Sequence, residues 1–525
     1  MNAKIKTVDA GILNNNGIRN VKVVIVGAGF GGLCMAIKLK EAGISDFVIL
    51  EKGSDVGGTW RDNTYPGAAC DVQSHLYSFS FEGNPDWSMR YPGWKEIQDY
   101  IQSTTDKYAI RPFVQYNAEV TASEFNKESG RWLVTLSDGS QFDAQHFILA
   151  TGPLHVPSIP NIPGLKKFKG RQFHSAQWDH EYDLNDKNVV SIGTGGSAIQ
   201  YLPEIAPKVK KLSVFQRTPA WVLPRDMRSY SDLDKKLFKS FPLMRKLHRM
   251  RLFATNESRV FPIIYARLAK SFQFLAKSFL NMQVKDPVLR EKLTPKYTIG
   301  CKRVLISNKY YPMFKRDNVE LNTDGIKEVR AHSIVDCNGK EHPADAIIFG
   351  TGFVTDPRIY MKNFKFTGLP GRDIHKDWKE GAEAFYGISV TGYPNMFQLV
   401  GPNTGLGHNS IIFMIENQVE YVVKCIKTMD EKGAKYLDIK ATEQVSFNEG
   451  LQGRLKGTVW TSGCQSWYQQ ADGKNFVIWP GTTLRYQREL RNIDYGVYDW
   501  VDSDQVVVTP VRCETAKSKE AIAAV

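Results

Sequence analysis

Three glycines near the N-terminus have the spacing of a phosphate-binding turn. They are Gly27, Gly29 and Gly32, in the pattern Gly-x-Gly-x-x-Gly. In such a turn the first glycine allows a tight bend, the second lets the backbone approach a pyrophosphate, and the third allows a helix to pack closely on a strand. Glu51 follows Gly32 by 51 − 32 = 19 residues, close to the distance at which a carboxylate binds ribose hydroxyls. These four residues predict a dinucleotide site.

A second glycine turn occurs later in the chain, but a cation replaces the acid. The pattern is Gly193-x-Gly195-x-x-Ala198, and Arg217 follows Ala198 by 217 − 198 = 19 residues. A guanidinium there suits a 2′-phosphate, which a carboxylate would repel. The first turn therefore favours FAD and the second NADPH, with a solvated surface arginine as the alternative interpretation of Arg217. The residues expected to bind the second dinucleotide are Gly193, Gly195, Ser197, Ala198, Arg217 and Thr218.

Both turns lie between an apolar strand and a helix, as a dinucleotide site requires. Strands are predicted at 21–26 and 189–192, each followed by its glycine turn and a helix. Two further apolar strands, at 147–152 and 346–352, end in a Thr-Gly turn and are expected where the chain crosses between domains. We therefore predict an α/β fold with two Rossmann-like dinucleotide-binding domains, one for FAD and one for NADPH, and a helical insertion.

The domain boundaries follow from this order of elements. A length of 525 residues exceeds one ordinary core and predicts two or three domains. The FAD-binding domain is predicted to be discontinuous, and the predicted ranges are 1–155 with 345–525 for FAD, 156–344 for NADPH, and about 230–295 for the helical insertion. The insertion mixes Phe and Leu with Lys and Arg. Two interpretations stay open for it: weak peripheral contact with an anionic membrane, or a solvated helix face over a core.

Composition limits the classes of function. With 42% apolar and 23% charged residues, the chain has the composition of a soluble globular protein. The net charge of +13, from basic residues spread along the chain, is interpreted as solubility and attraction of phosphorylated ligands, and no nucleic-acid partner is expected. Seven cysteines without a CxxC pair indicate neither a disulfide framework nor a metal site. No secretion signal is visible, so a cytoplasmic protein is expected.

Two longer motifs connect the chain to a known family. One is Gly57-Gly58-Thr59-Trp60-x4-Tyr65-Pro66-Gly67-x3-Asp71, and the other is Phe168-x-Gly170-x3-His174-x3-Trp178-Asp179. With the paired glycine turns they resemble the type I Baeyer–Villiger monooxygenases, which are class B flavoprotein monooxygenases, over about residues 20–500. The second motif has no helical or strand periodicity. The resemblance implies that it is a linker entering the NADPH domain, in which His174 sets domain orientation and transfers no proton.

The resemblance also implies a reaction and roles for particular residues. The reaction converts ketones to esters or lactones with O2 through a C4a-peroxyflavin, which needs a fixed cation near the flavin. Arg303 corresponds to the family's active-site arginine, Asp71 is its expected partner, and a loop N-cap is the alternative for Asp71. Lys302 is expected nearer the NADPH phosphate or ribose. Further cofactor contacts are expected from Thr59, Trp60, Tyr77 and Trp467, the last on a loop that closes over NADP⁺ and substrate.

A third helix N-terminus is predicted at Ser410 and Ile411, after a strand and a glycine turn. Its backbone N–H groups suit the carbonyl side of the flavin ring, so Ile411 is a cofactor-binding candidate. His408 beside it is interpreted as a loop residue, because this chemistry requires no general base of that kind.

Two other functions stay open at the level of the sequence. One is a flavin monooxygenase that oxidises nitrogen or sulfur of soft nucleophiles; Arg303 and the Trp178-Asp179 ending favour the ketone reaction instead. The other is an NADPH-dependent flavin reductase or a redox-responsive binding protein. A disulfide-active reductase is disfavoured, because no cysteine pair follows the first glycine turn. The sequence leaves the particular ketone and the oligomeric state open.

Overall fold

The computed structural model describes residues 12–13, 17–463, 466–470 and 473–502. The strands are β1 (Ile12–Leu13), β2 (Arg19–Val26), β3 (Phe47–Leu50), β4 (Val114–Gln115), β5 (Val120–Asn126), β6 (Arg131–Leu136), β7 (Gln141–Leu149), β8 (Arg171–His174), β9 (Asn188–Ile192), β10 (Lys211–Phe215), β11 (Val222–Leu223), β12 (Leu305–Ile306), β13 (Val319–Asn322), β14 (Ile326–Arg330), β15 (Ser333–Asp336), β16 (Glu341–Pro343), β17 (Ala346–Phe349), β18 (Lys365–Thr367), β19 (Met396–Gln398), β20 (Ala434–Ile439) and β21 (Tyr498–Asp502). The helices are α1 (Phe30–Glu41), α2 (Thr59–Asp62), α3 (Trp94–Lys107), α4 (Ala198–Ile205), α5 (Asp232–Ser240), α6 (Pro242–Ser258), α7 (Phe261–Ile264), α8 (Ala266–Gln283), α9 (Pro287–Leu293), α10 (Tyr310–Met313), α11 (Pro357–Tyr360), α12 (Ile374–Asp377), α13 (Ile411–Lys432), α14 (Ala441–Leu455) and α15 (Thr483–Arg491).

The first glycine turn belongs to a nine-stranded sheet. Its order is β18-β5-β6-β7-β2-β3-β4, with β1 also pairing β2 and β19 also pairing β7. The strands next to the turn, β2, β3 and β7, are parallel to one another where they pair. Val23, Val24 and Ile25 of β2 are completely buried. A continuous β-branched run of this kind is typical of a parallel strand that is covered on both faces.

The second glycine turn belongs to a separate parallel sheet of five strands, in the order β13-β10-β9-β17-β8. The molecule is thus an α/β protein with two Rossmann-type sheets, as predicted. The expected hairpin is also present, because β15 and β16 are antiparallel and Gly339 at the tip has a φ of +84°. The segment around His174 contains β8, a four-residue edge strand that is too short to show an alternating pattern in the sequence.

The chain crosses between the two sheets twice. It leaves the first sheet after Leu149 and enters the second at Arg171, then leaves the second after Phe349 and returns at Lys365. The predicted boundary at 345 is therefore placed too early, since β17 pairs with β8 and β9 of the second sheet. An apolar strand next to a domain boundary carries no local sign of the sheet that it joins.

Five helices, α5 to α9, occupy the stretch between Asp232 and Leu293, where the helical insertion was predicted. They lie between β11 and β12, which pair with each other in parallel. Among the helices of the described residues, none has an apolar stretch long enough to cross a lipid bilayer.

Candidate active site

The first glycine turn is shaped by close backbone packing. Gly27 has a φ of +103°, and a Cβ at this position would lie 2.7 Å from the carbonyl oxygen of Ala150. A Cβ at Gly32 would lie 1.9 Å from the carbonyl oxygen of Gly27. At Gly29 the nearest atom would be 3.9 Å away, and no side chain caps the start of α1 there. The turn therefore leaves open space and backbone N–H groups where a pyrophosphate would bind.

Glu51 is buried and held by the protein itself. Its Oε2 accepts a hydrogen bond from the backbone N–H of Ala28 at 2.8 Å, inside the glycine turn. Its Oε1 accepts from the backbone N–H of Gly53 at 2.7 Å and from Nη1 of Arg61 at 2.8 Å. Arg61 was not among the predicted site residues, although it directly follows the Gly57–Trp60 motif in the sequence. Glu51 thus fixes the glycine turn through its own hydrogen bonds.

The Gly57–Trp60 motif lies against the same turn. The backbone N–H of Gly57 donates to the carbonyl oxygen of Ala28 at 2.9 Å, and α2 begins at Thr59. Trp60 Nε1 donates to the hydroxyl of Tyr77 at 3.1 Å. The ring of Tyr77 also packs edge-on against Phe30, the first residue of α1, with 5.4 Å between the ring centres. The structure therefore brings Thr59, Trp60 and Tyr77 to the start of α1.

The second glycine turn repeats this backbone geometry. Gly193 has a φ of +104°, and a Cβ there would lie 2.4 Å from the carbonyl oxygen of Gly350. Gly195 is open, because a Cβ there would have its nearest neighbour at 4.0 Å. Ser197 precedes α4 without capping it through its side chain, and Ala198 is completely buried at the start of that helix. The turn again presents an open helix N-terminus.

Two cations lie beyond the second turn. Arg217 and Thr218 follow the end of β10, and Arg217 is exposed. Burial and the positive charge of Arg217 both lower the pKa of Lys302, so the two cations lie within electrostatic range of each other. Among the described residues, no carboxylate forms an ion pair with either cation. Two uncompensated charges of this kind suit the phosphate groups of NADPH.

Arg303 and Asp71 form a bidentate ion pair between residues 232 positions apart. Arg303 Nε donates to Asp71 Oδ2 at 2.8 Å, and Nη2 donates to Oδ1 at 2.6 Å. The negative charge of Asp71 and these hydrogen bonds raise the pKa of Arg303 above its ordinary value. The Arg303 side chain is still 41% accessible. The guanidinium is therefore fixed in place and charged, and it keeps donors for a further partner.

This pair lies between the two expected cofactor sites. On one side, Asp71 and Arg303 are close enough to Tyr77 to influence its pKa, which burial chiefly raises. On the other side, Lys302 connects Arg303 to Arg217. The Tyr65–Gly67 motif links the same regions, since the hydroxyl of Tyr65 donates to Oε1 of Gln200 in α4 at 2.8 Å.

The helix predicted at Ser410 and Ile411 is α13, with Ser410 as its N-cap. Ser410 Oγ is buried and has no hydrogen-bond partner among the described residues. An unpartnered hydroxyl and the free N–H groups of a long helix fit the polar edge of a flavin. Together with the open turn at Gly29, this donor set fits FAD, and the pair Arg217 and Lys302 fits the phosphates of NADPH.

Comparisons with known proteins identify the family of the chain. The family described as pyridine nucleotide-disulphide oxidoreductase matches residues 24–233. A Baeyer–Villiger monooxygenase from Pseudomonas aeruginosa is 45% identical over 91% of this chain and 91% of its own length. Another, from Streptomyces coelicolor, is 44% identical over 91% of this chain and 92% of its own. The chain belongs to the Baeyer–Villiger monooxygenases.

Solved structures of monooxygenases have the same fold as this Baeyer–Villiger monooxygenase. An oxidised steroid monooxygenase bound to NADP superposes with a TM-score of 0.83 at 27% identity, over 92% of this chain and 100% of the other. A closed cyclohexanone monooxygenase gives the same TM-score, identity and coverage.

Sequence reasoning missed a tyrosine in this monooxygenase. Trp467, the predicted loop residue, is 41% exposed, and its ring lies 4.5 Å from that of Tyr468. Tyr468 is buried and interacts electrostatically with both Arg303 and Asp71. Burial raises the pKa of Tyr468 to about 12, although Arg303 lowers it, so the hydroxyl stays protonated at neutral pH. Tyr468 directly follows Trp467 in the sequence, but only Trp467 was predicted as a site residue.

Glu257 of α6 was also missed. It accepts hydrogen bonds from Asn409 Nδ2 at 2.6 Å, Thr483 Oγ1 at 2.8 Å and the backbone N–H of Leu484 at 3.1 Å. His408 Nε2 lies 3.5 Å from the same carboxylate. Burial alone would raise the pKa of Glu257, but these groups outweigh it and lower the pKa to about 2. Glu257 thus joins the helical insertion to the loop that precedes α13.

One cysteine next to the candidate site forms a disulfide. Cys301, next to Lys302, is buried and disulfide-bonded. Cys34, Cys70, Cys337 and Cys425 are free. A single bridge leaves no spacing pattern in the sequence, whereas a disulfide framework does.

Proposed function

We propose that this chain uses FAD, NADPH and O2 to insert one oxygen atom next to the carbonyl group of a ketone, and that Arg303 held by Asp71 stabilises the negative charge that develops. NADPH supplies two electrons, the second oxygen atom leaves as water, and the product is an ester or a lactone. FAD supplies the oxygen-transfer chemistry when it is bound. The observation that carries the residue assignment is the bidentate ion pair between the two glycine turns.

Arg303 has donors to spare for this role. A guanidinium has five N–H donors, and Asp71 uses one on Nε and one on Nη2. Three N–H groups remain for an oxyanion on the substrate side. Because Asp71 keeps the pKa of Arg303 high, the charge persists at any working pH. Once bound cofactors and substrate exclude water from this accessible site, a preoriented cation would stabilise charge in the transition state by several kcal/mol, typically about 3.

Other residues bind and orient. Gly27, Gly29, Gly32 and Glu51 would hold the FAD pyrophosphate and ribose, and Ile411 would present the N-terminus of α13 to the flavin ring. The set expected on NADPH is Gly193, Gly195, Ser197, Ala198, Arg217, Thr218 and Lys302. We assign Tyr468 as a further O–H donor beside Arg303, because it is buried, protonated at neutral pH and electrostatically coupled to the pair. Trp467 would cover the entrance.

The test replaces the cation while leaving the fold in place. Arg303→Ala is expected to retain FAD and to oxidise NADPH, yet to form ester at least about a hundredfold more slowly. Arg303→Lys keeps the positive charge but loses the bidentate geometry of the guanidinium. Its rate of ester formation should therefore lie between those of the wild type and Arg303→Ala. The measurements are ester formation from cyclic, aryl and long-chain ketones, NADPH oxidation, and hydrogen peroxide release.

Each outcome has a definite meaning. Ester formation by Arg303→Ala at the wild-type rate would remove Arg303 from the mechanism. A wild-type enzyme that oxidises sulfides but forms no ester from any ketone would instead be a monooxygenase of soft nucleophiles. NADPH oxidation that yields only hydrogen peroxide, with every substrate, would indicate a reductase.

A further inference from the structure

Helix α6 carries four of its apolar side chains on the outside. Leu243, Met244, Leu247 and Met250 lie on one side of this helix and are 44% to 68% exposed. Their spacing of three and four residues is the one that normally directs a stripe of side chains into the core. Clustered exposed apolar residues on a helix of this kind usually mark a contact surface.

The inner side of α6 holds polar side chains that already have partners, next to the buried Leu252. Arg249 Nη1 donates to the backbone carbonyl oxygens of His75 at 2.6 Å and Ser78 at 3.0 Å. Asn256 Nδ2 donates to Gln73 Oε1 at 2.7 Å. Glu257, one residue further, is bound to the loop before α13. These bonds fix the rotation of the helix, so the apolar side chains cannot turn inward without breaking them.

The segment that contains α6 is also the source of most of the net charge. Residues 235–285 hold twelve lysines and arginines and a single acid, Glu257, so their net charge is 12 − 1 = +11 against +13 for the whole chain. The basic residues themselves are spread along the chain, but their excess over acidic residues is concentrated in this segment. Lys246 and Arg251 are exposed between the apolar positions of α6, and no carboxylate of the described residues pairs with them. We call Leu243, Met244, Lys246, Leu247, Met250 and Arg251 the α6 outer face.

The neighbouring helices α5 and α8 also combine exposed apolar side chains with exposed basic ones. At the junction of α5 and α6, Phe241 is 55% exposed, and Lys236 and Lys239 of α5 are exposed as well. The acids of α5, Asp232 and Asp234, lie at its start, where Asp234 forms a capping box with the N-cap Ser231 and pairs with Arg228. Helix α8 contains no acid and exposes Leu268, Phe274, Leu275 and Met282 among Arg267, Lys270 and Lys277.

We propose that the α6 outer face docks on the surface of an anionic lipid bilayer. The apolar side chains would enter the boundary between headgroups and acyl chains, and the cations would meet lipid phosphates. A second copy of this chain is a poorer occupant, because a symmetric contact would place the cations of one face against those of the other. The proposal concerns binding alone and is independent of the assignment of Arg303.

The experiment is vesicle flotation with the full FAD-containing protein. Vesicles of pure phosphatidylcholine are compared with vesicles in which a quarter of the lipid is phosphatidylglycerol. We expect binding to the anionic vesicles, little binding to the neutral ones, and weaker binding as salt is added.

Paired variants separate the two contributions. K246E/R251E reverses the charges and L247Q/M250Q removes the apolar contacts, and each should lower the vesicle partition coefficient by about tenfold or more. The matched control is K166E/K167E, which reverses two exposed lysines outside the insertion and should leave binding close to that of the wild type. All four positions of the test variants are exposed, and circular dichroism verifies that each variant is folded.

Three results would overturn the proposal. The first is failure of the wild-type protein to float with anionic vesicles. The second is binding that heparin inhibits completely and that L247Q/M250Q leaves unchanged, which would indicate a site for soluble polyanions. The third is a dimer in analytical ultracentrifugation that L247Q/M250Q dissociates while vesicle binding persists, which would make this face an interface between copies.

Discussion

The two glycine turns have the same backbone conformation. They differ in the residue that lies 19 positions after the last residue of each turn, and in how the protein holds that residue. Their first glycines have nearly the same φ, +103° at Gly27 and +104° at Gly193. Glu51 is buried and accepts three hydrogen bonds from the protein, whereas Arg217 is exposed and lies near a second cation, Lys302. The protein itself thus completes the first site, while the second carries unbalanced charge until an anion binds. That contrast fits a group retained through many turnovers at the first turn and one exchanged at the second.

Glu51→Gln tests the first glycine turn, whose hydrogen bonds the protein itself completes. This change should have the largest effect on stability and cofactor binding. The change breaks a buried ion pair with Arg61 and leaves polar groups of the turn without their acceptor, so we expect a loss of about 3 kcal/mol in the free energy of unfolding and of most bound FAD. Thermal denaturation and the flavin content after gel filtration measure both. Glu449→Gln, at an exposed position of α14, is the control. Full FAD retention by Glu51→Gln would show that the two sites do not differ in this way.

Arg217→Ala tests the second glycine turn, where the cation is exposed. Loss of a charged hydrogen bond to the 2′-phosphate should raise the KM for NADPH by about tenfold to a hundredfold and leave kcat nearly unchanged. FAD content and thermal stability should stay at wild-type values, because Arg217 is exposed. The measurement is steady-state kinetics with NADPH and with NADH. An unchanged preference for NADPH would refute the phosphate assignment. Arg316→Ala is a matched control, since this exposed arginine bonds Asn318 instead.

The pH dependence of NADPH binding gives a smaller effect. Burial and Arg217 lower the pKa of Lys302, so Lys302 loses its charge, and some affinity for phosphate, as the pH rises through that lowered pKa. Arg217→Ala removes one of the two causes, and the pKa of Lys302 should rise. The KM for NADPH should therefore increase a few-fold on the alkaline side, beginning at a higher pH in the variant than in the wild type. The same onset in both proteins would contradict the coupling.

Local patterns allowed much of the fold to be predicted. The glycine turns, their flanking strands and the hairpin at Asn338–Gly339 depend on residues close together in the sequence, and each appears where it was expected. β8 and the sheet membership of β17 could not be predicted, because pairing at an edge or between domains depends on distant partners.

In the candidate site, too, residues with a local sequence pattern could be predicted, and residues defined by distant contacts could not. Glu51 and Arg217 were found by their distance from the glycines, whereas the pairing of Asp71 with Arg303 spans 232 residues and came only from the family motif. Tyr468 and Glu257 were missed because burial and hydrogen-bond partners are properties of the folded chain. Neither a tyrosine in a polar loop nor a glutamate within a basic helix has a distinctive local signature.

Helix α6 also connects the exposed surface of the insertion to residues near Asp71. Its 17 residues form a continuous rod about 25 Å long. Exposed apolar and basic side chains occupy the first two-thirds of the rod, while Asn256 and Glu257 near its end are bonded to Gln73, two residues from Asp71, and to the loop before α13. Because no flexible loop interrupts it, a force applied at the surface end would be transmitted to the bonds beside the active site.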